Sequence, residues 1–143
     1  MRLERDIVID KPASEVFAFV SEPRNLPAWQ HSVVEVSRDD GPVEVGTRFA
    51  EVRHFLGKQL VSTVEVIELE PDRCFTVRIV DGSVRATVYH LLEALGERTR
   101  LTVVGEVKVS GLLRLAAGAM AKAAEHEGQA DLARLKTLLE GED

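Results

Sequence analysis

The stretch Ile7–Trp29, with the sequence IVIDKPASEVFAFVSEPRNLPAW, decides the fold because its residue types change character along it. A run rich in β-branched residues ends at Asp10, and Pro12 then fixes the φ angle that suits the first turn of a helix. Pro23 and Pro27 interrupt the helical pattern, since a proline inside a helix removes a backbone hydrogen bond. The stretch therefore predicts a strand, a short helix and a brief second helical segment, in that order.

The residues after Trp29 form a series of antiparallel strands separated by turn residues. Gly57 and the pair Asp81-Gly82 mark tight hairpins, because such turns need positive φ angles that these residue types adopt readily. The predicted strands, including the first, are Arg2–Asp10, Val33–Ser37, Thr47–Leu56, Lys58–Leu69, Arg73–Val80, Val84–Leu92 and Thr99–Val109.

From Gly111 onward, apolar residues recur every three or four positions, as on one face of a helix. This spacing predicts one terminal helix of roughly 30 residues. The middle of this helix is rich in alanine and glycine. Small side chains there leave space between helix and sheet, allow the two to pack closely, or reflect plain helix propensity on a solvated face, and these interpretations stay open. Strands followed by one dominant helix favour the α+β class.

Length and composition predict a single globular domain spanning residues 1–143. The chain is 45% hydrophobic and 29% charged, which is ordinary for a globular protein. Its formal net charge of −6 and the absence of a dense Lys/Arg cluster make nucleic acid an unsuitable partner. No stretch is long and apolar enough for a signal peptide or a membrane span, so we expect a cytoplasmic protein.

Several short motifs, in their order and spacing, resemble one protein superfamily. They are Pro12-Ala13-Ser14-Glu15-Val16-Phe17, Pro23 through Pro27-Ala28-Trp29, Gly46-Thr47-Arg48-Phe49, Glu68-Leu69-Glu70-Pro71 with Arg73, Gly96 with Thr99-Arg100-Leu101-Thr102, and Asp131-Leu132-Ala133-Arg134-Leu135-Lys136. Together they resemble the START-like (SRPBCC) superfamily, and within it the polyketide cyclase/dehydrase-like branch.

This resemblance covers essentially the whole chain and implies a helix-grip fold. In that fold a curved antiparallel seven-stranded sheet and two short helices wrap around a long C-terminal helix and enclose an internal cavity. The superfamily includes lipid carriers, hormone receptors and aromatic polyketide cyclases. Its members share no single catalytic motif, so the resemblance assigns no catalytic residue to this chain.

Alternation along the strands indicates which side chains face the expected cavity. On the sixth strand His90 belongs to the same face as Val84, Ala86 and Val88. The expected ligand-binding residues are Trp29, Phe49, Glu51, Arg53, Phe55, Phe75, Val77, Val88, His90, Val103, Ala119, Met120 and Ala123.

The third strand has two possible orientations. One face carries Phe49, Glu51, Arg53 and Phe55, whereas the other carries His54 among apolar residues. We favour the arrangement with both phenylalanines inward, because aromatic side chains gain the most from burial. In that arrangement Glu51 and Arg53 enter the cavity, where they must pair with each other or meet a polar ligand group.

His90 is the candidate catalytic residue, because a cavity histidine can act as a general base or bind a ligand group. The alternative is a buried histidine whose ring is satisfied by a backbone carbonyl. Trp29 is either an aromatic lid over a ligand or an anchor that packs the second helix on the sheet. His31 and His126 are expected on the surface.

No metal and no cofactor are expected. His54, His90 and Glu51 could converge in space, but nothing in their spacing requires a metal site. Cys74 is the only cysteine, so no intramolecular disulfide can form. It has no activating neighbour in the sequence and is expected to be an unreactive residue.

Three functions are compatible with these observations. We favour binding of a hydrophobic or aromatic small molecule, lipid- or polyketide-like, with His90, Arg53 and Glu51 fixing its orientation and with access near Leu26–Trp29. The second is an enzyme of the polyketide cyclase/dehydratase type that uses acid/base residues in the cavity. The third is a protein-interaction domain without a ligand, and an exposed edge strand also allows a homodimer.

Overall fold

The order of strands and helices follows the punctuation of the sequence closely. The computed structural model describes residues 1–109 and 111–141. Its strands and helices are β1 (Arg2–Ile9), α1 (Ala13–Val20), α2 (Leu26–Trp29), β2 (Val33–Arg38), β3 (Arg48–Phe55), β4 (Lys58–Glu70), β5 (Cys74–Asp81), β6 (Val84–Leu95), β7 (Arg98–Val109) and α3 (Ala117–Glu140). Short 3-10 turns at Pro23–Asn25 and Gly111–Ala116 precede α2 and α3.

All seven strands form one antiparallel sheet in the order β1-β7-β6-β5-β4-β3-β2. The strands from β2 to β7 are sequential neighbours, whereas β1 pairs with β7 through contacts such as Ile7 with Leu101. Register shifts in β4, including one between Val66 and Glu68, mark irregularities that bend a sheet. The predicted helix-grip fold, with its seven-stranded sheet and long terminal helix, is confirmed.

The main core lies between one face of the sheet and the terminal helix. Ile9, Leu101 and Leu135 are completely buried there. In α3 the buried leucines Leu132, Leu135 and Leu139 recur every three or four residues, as one face of a helix requires. The helix packs chiefly on β1, which is an edge strand of the sheet.

Most sequence-based strand boundaries lie within one residue of the observed ones, and three differences are informative. Asp81 remains in β5, and in this pair only Gly82 has a positive φ, of 155°. β6 continues to Leu95, because the turn to β7 needs only Gly96 and Glu97. The terminal α-helix has 24 residues and begins at Ala117, because the preceding residues Gly111–Ala116 form a 3-10 turn.

Candidate functional site: a cavity between sheet and helix

A cavity of about 260 Å³ lies between the inner face of the sheet and α3. The inward alternation of β3, β5, β6 and β7 supplies most of its wall, because side chains at every second position point to the same face. The structure places eleven of the thirteen expected ligand-binding residues on this wall: Trp29, Phe49, Glu51, Arg53, Phe55, Phe75, Val77, Val88, His90, Val103 and Met120.

Ala119 and Ala123 do not line the cavity, and their expected position was wrong. Ala119 is exposed and Ala123 is half-buried on α3. Each residue of an α-helix turns by about 100°, so a neighbour of a cavity residue points well away from the cavity. The residues of α3 that line the cavity are Met120, Ala124, Glu127, Gly128, Asp131 and Leu132.

One end of the cavity is closed and the other is more exposed. Leu26 and Trp29 are buried at the α2 end, so the expected access near Leu26–Trp29 is not open in this structure. Met1 is 43% exposed, and Phe55 and Leu60 beside the β3–β4 hairpin are half-buried. Among the described residues, the wall is therefore least covered near the N-terminus and this hairpin.

The closed end contains an aromatic pair formed by Trp29 and His90. Their ring centroids are 6.4 Å apart and the ring planes meet at 77°, an edge-to-face arrangement. His90 Nδ1 lies 2.9 Å from the carbonyl oxygen of Phe75. Burial lowers the pKa of His90 to about 4, although the bond to Phe75 acts in the opposite direction. The imidazole is therefore neutral at neutral pH.

On β3, Arg53 is held by three side chains. Its Nε donates to Glu51 Oε1 at 3.0 Å, Nη1 donates to Ser32 Oγ at 2.7 Å, and Nη2 donates to Gln30 Oε1 at 2.9 Å. The guanidinium group therefore has a fixed position, and its charge is balanced by the largely buried carboxylate of Glu51. Polar groups held in fixed positions of this kind can set the orientation of a bound molecule.

Asp131 connects α3 to the segment that follows α2. Its Oδ1 accepts the backbone N–H of His31 at 3.0 Å, and Arg134 donates to the carbonyl oxygen of Trp29 at 3.3 Å. Burial raises the pKa of the Asp131 carboxyl, whereas the bond from His31 and the nearby Arg134 act in the opposite direction. The two bonds hold the aromatic end of the cavity against the helix.

Arg5 crosses from β1 to α3 at the position of Gly128. Its Nη1 donates to the carbonyl oxygen of Ala124 at 3.0 Å. A Cβ atom on residue 128 would lie 1.2 Å from that nitrogen, so only glycine leaves room for the guanidinium. This glycine therefore serves close packing between helix and strand, which was one of the interpretations of the small residues in α3.

The remaining candidates do not gather at the cavity. His54 is exposed on the other face of β3, 3.3 Å from Gln59 Oε1, so it does not converge with His90 and Glu51. No group of three potential metal ligands occurs among the described residues. His31 and His126 are exposed, as expected. Cys74 is buried, and burial raises the pKa of its thiol to about 11.

Sequence reasoning missed several polar residues of the wall, chiefly Arg5 and Asp131. Both carried a usable signal. Arg5 is separated from the buried residues Leu3 and Ile9 by an even number of positions, so all three face the same side of β1. Asp131 lies four residues before the buried Leu135, on the same face of the helix. Charge made them resemble surface residues, although a charged side chain is tolerated inside when it is paired.

Comparison with known proteins identifies the family. Residues 1–140 match the family described as "Polyketide cyclase / dehydrase and lipid transport". The chain belongs to this family. No curated protein is significantly similar to this member of it. No described helix is both long and apolar enough to cross a membrane.

Solved structures share the fold of this polyketide cyclase/dehydrase family member at low sequence identity. The protein TTHA0849 from Thermus thermophilus is 16% identical with a TM-score of 0.85, and the alignment covers 100% of both chains. The ZhuI aromatase/cyclase from Streptomyces sp. R1128 is 15% identical with a TM-score of 0.81, over 98% of this chain and 93% of that chain. A START superfamily protein from Mycobacterium smegmatis is 15% identical with a TM-score of 0.68, over 92% and 98% of the chains.

Proposed function

We propose that this protein binds a hydrophobic or aromatic small molecule, lipid- or polyketide-like, in the cavity between the sheet and α3. The observation that carries the proposal is the composition of the wall. Phenylalanine, valine and leucine side chains supply most of it, and a small number of polar groups lie at defined positions. Binding sites for small molecules commonly have this combination, in which the polar groups set orientation.

The expected source of affinity is burial of apolar surface, worth about 25 cal/mol per Å² before the costs of association. Four charged groups of the wall already have protein partners: Arg5, Glu51, Arg53 and Asp131. An apolar ligand therefore does not need to neutralise them. The family description, which names lipid transport beside polyketide cyclisation, supports the same class of ligand.

Filling the cavity tests this function. Gly105 lies on the wall in β7, and no atom of the described residues lies within 4 Å of the position that a Cβ would take. Gly105→Leu therefore introduces a side chain on the cavity wall, and its Cβ meets no described atom. Gly118→Leu is the matched control, because Gly118 is exposed on α3 and its Cβ position also has no described neighbour within 4 Å.

The measurement combines native mass spectrometry of freshly purified protein with thermal shifts across a panel of fatty alcohols and aromatic compounds. We expect a copurified mass or a higher Tm for the wild type and for Gly118→Leu, since a ligand that binds the folded state stabilises it. Gly105→Leu should lose both signals. A wild type with no added mass and no shift across the panel would overturn the proposal and favour a protein-interaction domain.

Catalysis of the cyclase/dehydratase type is a second candidate, because His90 and Arg53 face the same cavity. A pKa of about 4 makes His90 a weak base at neutral pH, so binding is the better supported function. Full turnover of an identified substrate by His90→Ala would exclude His90 from the chemistry. The cytoplasmic location, the homodimer and the absence of nucleic-acid binding stay predictions.

A further inference from the structure

Two buried polar atoms, on residues that line the closed end of the cavity, have no hydrogen-bond partner in the structure. Among the described residues, these are Nε1 of Trp29 and Nε2 of His90. Trp29 is 2% exposed and His90 is 3% exposed, and both line the cavity. Buried polar groups are nearly always paired, because an unpaired one loses its bond to water and gains nothing in return.

The chemistry of the two atoms is complementary. The indole Nε1–H of Trp29 can only donate. In His90, Nδ1 faces the carbonyl oxygen of Phe75 at 2.9 Å, and since a carbonyl can only accept, Nδ1 carries the hydrogen. Nε2 of the neutral ring is then an acceptor with a free lone pair. The closed end therefore presents one donor and one acceptor on two rings in edge-to-face contact.

The surroundings restrict what can satisfy both atoms. Phe75 and Val103 are buried apolar residues of the same wall, and the ring of Phe75 lies 5.4 Å from that of His90. A carboxylate has no hydrogen for Nε2, an ammonium has no lone pair for Trp29, and either would bring a charge into this end. An ether or ketone oxygen accepts from Trp29 but leaves His90 unpaired. A hydroxyl oxygen accepts one hydrogen bond and donates another.

We propose that Trp29 and His90 form a subsite for a single uncharged hydroxyl group, so that the ligand is an apolar alcohol or phenol. This inference rests on the proposed ligand-binding function and specifies the chemical class of the ligand. The hydroxyl oxygen accepts from Nε1 of Trp29 and donates its hydrogen to Nε2 of His90. The apolar part of the ligand extends from this end along the wall formed by Phe49, Val77 and Val88.

The test compares two isomers, decan-1-ol and 1-methoxynonane, which have the same atoms but differ in a hydroxyl and an ether group. The ether is the more apolar isomer, so hydrophobic transfer alone favours its binding. Trp29 is the only tryptophan, and its emission reports occupancy of the wall directly. We expect the wild type to bind decan-1-ol more tightly, on the order of tenfold, because the ether leaves His90 unpaired.

His90→Phe removes the acceptor and should abolish the preference for the alcohol. Thr76→Val is the matched control, because it removes a buried hydroxyl, bonded to Glu68 at 2.8 Å, that does not line the cavity. The control should keep the preference. Comparison of the two isomers on the wild type needs no variant, so it remains informative if His90→Phe fails to fold.

Each outcome has one meaning. Tighter binding of the alcohol, lost in His90→Phe and kept in Thr76→Val, supports the subsite. Equal binding of the isomers to the wild type overturns the subsite but leaves the ligand-binding function in place, with water as the partner of the two atoms. A preference that persists in folded His90→Phe overturns the assignment to His90. Binding of neither isomer overturns the subsite, and the cavity-filling experiment then decides the broader function.

Discussion

Replacement of Gly128 by alanine tests how the terminal helix is attached to the sheet. The Cβ atom of the alanine would lie 1.2 Å from Nη1 of Arg5, which must then leave its place. In leaving, the guanidinium loses its bond to the carbonyl oxygen of Ala124, now 3.0 Å long. The substitution therefore combines a gain in stability within the helix with the loss of a hydrogen bond between helix and strand.

The two contributions have opposite signs. Alanine in place of glycine in a helix interior stabilises the folded state by about 1 kcal/mol. Loss of a hydrogen bond from a charged donor costs about 1.5–3 kcal/mol. We expect Gly128→Ala to lower the free energy of unfolding by a net amount of about 0.5–2 kcal/mol. In a domain of this size the corresponding decrease in Tm is roughly 2–7 °C.

A double-mutant cycle measured by urea unfolding separates the two contributions. In the Arg5→Ala background the clash is absent, so Gly128→Ala should raise the free energy of unfolding by up to about 1 kcal/mol. Gly118→Ala is the control, because no atom of the described part of the chain lies within 4 Å of its Cβ position, and it should not lower stability in either background. An equal loss for Gly128→Ala with and without Arg5 would refute the reasoning.

Three further predictions concern single residues. Leu56 has a φ of 52° in the β3–β4 turn and is 54% exposed, so Leu56→Asn, which tolerates this conformation, should raise the free energy of unfolding by about 1 kcal/mol in urea. Between pH 6.5 and pH 4 the unfolded chain binds a proton at His90 and the folded chain does not, so stability should fall as pH falls through this window. The expected fall in the free energy of unfolding is on the order of 3 kcal/mol. Urea unfolding at a series of pH values should show a smaller fall in His90→Phe and the same fall in His126→Ala. Burial and a thiol pKa of about 11 should keep Cys74 unreactive towards Ellman's reagent at pH 8 until denaturant is added, and rapid labelling of the native protein would contradict this.

The elements of the fold were predictable from the sequence because local residue types determine them. Pro12 and Pro23 fix the φ angle of their own residues, Gly57 permits the positive φ of a tight turn, and the alternation of β5 to β7 determines which side chains face inward. The phase of α3 was harder to predict, since its many alanines and glycines are compatible with more than one buried face. Ala119 and Ala123 were expected inward because they share the apolar spacing of the helix, whereas the leucines farther along the helix determine which face is buried.

The polar groups of the cavity could be predicted only in part. Glu51 and Arg53 followed from the orientation of β3, because their neighbours on the same face are aromatic. The bonds of Arg53 to Ser32 and Gln30 join residues about 20 positions apart, and the pairing of Asp131 with His31 spans 100 positions. Such pairings depend on how elements pack together, and no local pattern in the chain specifies them.

The pairing of β1 with β7 has a consequence for how the protein is synthesised. The partners of Arg2 and Ile9 are Glu106 and Thr99, so β1 leaves the ribosome about a hundred residues before its neighbour in the sheet. At about 5–20 residues per second, this interval is several seconds long. During it, β1 has no native partner, whereas the β3–β4 and β4–β5 hairpins can already form from residues close in the chain. Pairing of β1 with β7 closes a loop of this length at a cost in chain entropy, and translation of β7 is the event that permits it.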